Sequence, residues 1–106
     1  MAKKTTGAYR FRVSDAVEVP LRGMMLRLKR LEGRPPVDAL EPGSTLRLQG
    51  PDGETRTAHV KALSMTGGRT TQDRLDRYGQ ADVVIAPGDG QADGRPVDIG
   101  WFVVGE

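Results

Sequence analysis

Cysteine is absent from the 106 residues. Disulfide scaffolds, thiolate nucleophiles, iron–sulfur clusters and thiolate zinc sites are thereby excluded. A domain that folds without disulfides fits a reducing compartment. Histidine occurs once, at His59. A single imidazole cannot build the usual multi-histidine zinc or iron site, and no Gly-x-Ser-x-Gly elbow accompanies it. Aromatic residues are only 5% of the chain. No apolar run approaches the roughly 20 residues that span a bilayer. Met1-Ala2-Lys3-Lys4-Thr5-Thr6-Gly7 has basic residues but no apolar segment behind them, so no secretory signal is expected. The expectation is a cytoplasmic protein with no membrane contact.

What remains is enough for one domain. Apolar residues make up 37% and charged residues 28%. A chain of this length buries roughly 60–70% of its unfolded surface. Fourteen glycines and seven prolines imply many turns and short strands. Residues 1–8 read as a flexible polar start, and residues 9–106 as the folded domain.

Net charge is +2, but it is unevenly placed. Residues 1–30 carry eight basic groups against two acidic ones, a local balance of +6; the remainder carries eight against twelve, or −4. Such asymmetry suits a nucleic-acid or acidic-partner face. Strands with one solvated face also carry Arg and Lys simply for solubility.

Apolar residues recur with period two, the signature of half-buried strands. Tyr9, Phe11 and Val13 alternate with Arg10, Arg12 and Ser14. Ala16 to Val19 is a second extended piece ending at Pro20, and Arg22-Gly23 reads as a turn. Met24, Leu26 and Leu28 then alternate with Arg27 and Lys29. Pro35-Pro36 forbids a regular ladder. Leu40-Glu41-Pro42-Gly43 turns into Thr45–Gln49, and Gly50-Pro51-Asp52-Gly53 signals a hairpin into a strand over 54–63. On that strand Ala58, Val60 and Ala62 face one way and Thr57, His59 and Lys61 the other. Residues 71–78 are expected to form a short helix, capped by Thr70 or Thr71 and ended by Gly79. Val83-Val84-Ile85 is a buried strand. Pro96 to Val104 is the last, with Val97, Ile99, Trp101 and Val103 inward and Gly100 at a bulge or bend. Trp101 and Phe102 read as structural. Six or seven short strands with at most one short helix predict an all-β fold. A single closed or nearly closed antiparallel barrel is the form that best disposes of free edges.

No machinery for bond-breaking stands out. There is no P-loop, so no nucleotide cofactor is expected. Gly67-Gly68-Arg69-Thr70 lacks the strand and helix that aim such a turn at phosphate. Asp89, Asp93 and Asp98 lack calcium-loop spacing and read as turn residues bonding nearby amides. The expectation is a non-enzymatic domain without cofactor or metal. Nucleic-acid binding requires exposed rings among basic groups. Tyr9 and Phe11 lie on the face opposite Arg10 and Arg12. Tyr78, beside Arg74 and Arg77, is better placed. Arg10, Arg12, Arg27, Lys29, Arg69, Arg74, Arg77 and Tyr78 are the candidate binding residues.

The order of these pieces resembles the second domain of translation GTPases, the elongation-factor-Tu-like β-barrel. The resemblance is carried by Phe11-Arg12-Val13-Ser14-Asp15, then Arg22-Gly23-Met24-Met25-Leu26, Gly33, and Leu40-Glu41-Pro42-Gly43. Leu46-Arg47-Leu48-Gln49-Gly50 and Val60-Lys61-Ala62-Leu63-Ser64-Met65 continue it, followed by the polar stretch 66–80 and the strands 81–86 and 96–104. The family's usual Ala-Gly-Asp entry to the penultimate strand reads Gly79-Gln80-Ala81-Asp82 here. The GTPase domain and its nucleotide motifs are missing. The resemblance implies a stand-alone barrel that binds RNA or a protein partner. The alternative is a structural or self-associating domain with no nucleic-acid role.

Overall fold

The computed structural model describes residues 8–51, 53–65, 70–86 and 97–105. Six strands carry the fold: β1 (Tyr9–Val19), β2 (Gly23–Glu32), β3 (Thr45–Gln49), β4 (Thr55–Ser64), β5 (Gln80–Ile85) and β6 (Phe102–Gly105). They close into an antiparallel barrel in the order β1-β2-β5-β4-β3-β6, with β6 returning to pair with β1. A 3-10 turn (Val37–Leu40) and one helix, α1 (Gln72–Tyr78), complete it. The expected all-β single barrel with one short helix is therefore what forms. Among the described residues no helix is long and apolar enough to cross a membrane.

Alternation builds the core. Phe11, Val13, Leu26, Leu28, Leu46, Leu48, Ala58, Val60, Val83, Ile85 and Val103 all point inward and are buried. Leu40 of the 3-10 turn and Leu75 of α1 are buried with them at the end where β2 finishes and β5 begins. Trp101, 3% exposed, packs beside Gly50, where an added Cβ would press to 3.2 Å from its ring.

A register shift between Arg10 and Phe11 leaves Leu31 without a partner in the β1–β2 pairing, and three further irregularities correct the simple alternation. Residues 9–14 and 16–19 are one strand, not two, because a bulge between Val13 and Asp15 shifts the pairing with β2. The shift reverses the inward parity, so Ala16 rather than Val17 packs on the core. A second bulge, between Val60 and Ala62, does the same in β4: Ala62 is exposed, and Leu63 and Met65 turn inward. The last strand is shorter than expected. Asp98 to Trp101 is a turn closed by the Trp101 N–H donating to the Asp98 carbonyl (3.2 Å), with Gly100 at φ 95° and Ile99 55% exposed. Gly100 thus serves both the turn and the expected bulge: it and Trp101 together oppose Val13, whose carbonyl accepts from the Gly100 N–H (3.1 Å) and whose N–H donates to the Trp101 carbonyl (2.8 Å); Ile99 is not a core residue. Asp98 behaves as expected, its Oδ1 accepting from the Ile99 N–H at 2.7 Å. Asp89, Asp93 and most of the expected N-terminal segment lie outside the described residues.

The helix is built as its sequence dictates. Thr71 Oγ1 accepts from the Arg74 N–H (3.3 Å), and Gly79 ends it in the left-handed conformation. It is docked by polar contacts. Arg30 donates to the carbonyls of Leu75 (3.3 Å) and Asp76 (3.1 Å), covering the helix C-terminus. Gln72 accepts from the Val37 N–H and donates to Pro35 O and Asp76 Oδ1. Arg34 holds the other Asp76 oxygen at 2.8 Å. The Arg34 hydrogen bond, followed by that from Gln72, lowers the Asp76 pKa below the usual carboxylate range. A depressed carboxyl pKa favours the folded state above the unfolded value near ~4 and loses that effect as pH falls through the folded value. Arg34→Ala is expected to return the Asp76 titration toward its ordinary range, read by NMR of the carboxyl. An unmoved titration would mean that the Arg34 contact does not persist in solution.

Candidate nucleic-acid interface

Because Phe11, Val13, Leu28, Leu46, Leu48 and Val103 point inward, their neighbours face outward. The barrel's closure then sets residues from distant parts of the chain side by side. Arg12 lies opposite Lys29 on one side and Phe102 on the other. Arg10 and Arg47 flank Val104, and Gln49 lies opposite Phe102. The outer face of β3, β6, β1 and β2 therefore carries Arg47, Arg10, Arg12 and Lys29 around Phe102 and Val104. The Arg10 guanidinium lies over the Phe102 ring, 4.9 Å from its centroid. Among the described residues no carboxylate forms an ion pair with Arg12, Lys29 or Arg47. A shallow groove of about 220 Å³ opens at the strand ends of this face, between Tyr9, Arg10, Arg47, Val104 and Glu32.

Not all candidate residues join this surface. Arg27 is committed to Asp82 at 3.0 Å, with Asp15 opposite it. The hydrogen bond to Asp82, reinforced by its charge, raises the Arg27 pKa. The basic face therefore ends there. Arg77 pairs with Asp73 at 3.4 Å in an exposed i,i+4 contact that contributes little. Tyr78 is 53% exposed. The end of α1 lies directly beyond Lys29: Arg30 N–H donates to Gly79 O (2.7 Å), and Lys29 pairs with Gln80. Arg74 is half-buried on the same helix. Arg69 falls outside the described residues.

The rings are distributed differently from expectation in one respect. Phe11 is fully buried and meets Tyr9 edge-on at 6.0 Å. Desolvation of the half-buried Tyr9 phenol raises its pKa. Trp101 is in the core as anticipated, but Phe102 is on the outside among the cations. The parity of Trp101 and Val103 is the signal that places it there. Arg47 was legible as an outward residue of its strand; its proximity to Arg10 was not, because β3 and β1 meet only through β6.

Buried charge supplies a second constellation. Arg56 shares the inward parity of Ala58 and Val60, and its guanidinium lies 4.9 Å from the centre of the Trp101 ring. Glu54 holds it through Nε at 2.9 Å and Nη2 at 2.8 Å. It serves the barrel end rather than a surface. His59 is exposed on the outer side of β4. Among the described residues there is no group of three or more His, Asp or Glu that could hold a metal ion.

No protein family, curated protein or solved structure matches this chain.

Proposed function

We propose that this barrel is a non-catalytic binding module of the translation-factor type whose partner is RNA. The observation that carries this reading is the outward cluster of Arg47, Arg10, Arg12 and Lys29 around an outward Phe102. Cations supply attraction to phosphate and release of condensed counterions; a ring among them supplies a face for a base. The strongly basic first third of the chain supplies three of the four cations.

A second reading is favoured by a separate feature. Leu21, at the β1–β2 hairpin tip, is fully exposed and sits at φ 67°. An apolar side chain in water on a strained backbone suits a residue that seats in a partner or a second copy.

One titration separates the two. Fluorescence anisotropy with a short RNA is expected to give log K falling with log salt at a slope of about −3, the value for four cations on a single strand. Arg12→Ala with Lys29→Ala is expected to reduce that slope by about 1.4. A chain that ignores RNA at low salt, and whose sedimenting mass rises with concentration, is a self-associating structural domain instead.

A further inference from the structure

Resting on the RNA reading, we infer that the interface takes a single strand rather than a duplex, and that Phe102 with Arg10 forms its base-stacking platform. The first ground is size. From β3 to β2 the cationic face crosses three inter-strand spacings, about 15 Å in all. That matches a site of about four nucleotides, the lower end for small barrels that bind single strands. Recognition of an RNA duplex by shape requires contacts spread over about 16 base pairs. Here the basic face is bounded on the β2 side by the Arg27–Asp82 ion pair.

The second ground is the ring itself. In a duplex the faces of the bases are already stacked, so an outward Phe would meet only phosphate and ribose. An unpaired base offers a free face to it. Phe102 is half-buried at its base by the strands and overlaid by the Arg10 guanidinium. A guanidinium plane stacks on a base as well as on a ring. A base therefore either lies on the outer face of Arg10 or takes its place on Phe102, releasing Arg10 to the neighbouring phosphate. Arg12, directly beside Phe102 on β1, and Arg47, diagonal to it on β3, take the phosphates on either side. Gln49, directly opposite Phe102, presents an amide with both donor and acceptor to the base edge. It can bond any of the four bases, so recognition is sequence-tolerant.

The test uses the full chain with a labelled short oligouridylate, a labelled oligoadenylate and a blunt RNA duplex. Both single strands are expected to bind at least tenfold more tightly than the duplex. Phe102→Leu is expected to weaken the single strands about tenfold or more while leaving the salt slope unchanged, because no charge is lost. Phe102→Tyr is expected to restore binding. Arg10→Lys, which keeps the charge and removes the plane, is expected to weaken the single strands at the same slope. Trp101 fluorescence reports that each variant is folded. Duplex binding equal to or tighter than single-strand binding, or single-strand affinity unmoved by both Phe102→Leu and Arg10→Lys, overturns this inference and leaves the RNA reading standing. Absence of binding to all three probes overturns both.

Discussion

Trp101→Ala is expected to remove about 3–5 kcal/mol of folding stability, the range for deleting a buried indole. The ring is 3% exposed and covers the Arg56 guanidinium. Its loss opens a cavity and uncovers the Arg56 guanidinium, which Glu54 pairs at 2.8 Å. For a domain of this size the melting midpoint is expected to fall by about 15–30 °C. Circular dichroism is the appropriate probe, since Trp101 is the chain's sole tryptophan. A loss under about 1 kcal/mol would show that Trp101 is not a core residue.

Gly23→Ala is the second large effect, and its cause is backbone rather than volume. Gly23 has φ 125°, and an added Cβ would collide with the Ile85 carbonyl. That carbonyl lies on the β2–β5 seam, where Met24 pairs with Ile85. A non-glycine residue at such a φ costs about 1–3 kcal/mol, and the displaced seam adds to it, for an expected total of about 3 kcal/mol or more in urea unfolding. Gly43→Ala is the control: φ is 95°, but nothing lies within 4 Å of the added atom. Equal losses at the two glycines would mean that the seam yields without resistance.

The alternation in Tyr9–Val13, Met24–Leu28 and Arg56–Val60 made the barrel legible, because each strand has one dry face and one wet face. The caps of α1 were legible as well, since Thr71 and Gly79 act on their own neighbours. The bulges beside Ser14 and Lys61 were not. They depend on how six strands curve to close, which no local propensity encodes. The same holds for the interface. Arg10, Arg12 and Lys29 were visible as outward cations, but Arg47 and Phe102 join them only when β6 inserts between β1 and β3. Arg27 looked equivalent to Lys29 until Asp82, 55 positions away, claimed it.

The meeting of Tyr9 with Gly105 bears on how the molecule is made. The other four seams of the ring can zip earlier, but the two that β6 makes, with β1 and with β3, wait for residues 102–105 to be synthesised. Until then β1 and β3 present open borders, and the nascent chain depends on chaperones or speed to avoid pairing with the wrong neighbour. Such distant closure belongs to folds that mature in milliseconds to seconds rather than microseconds.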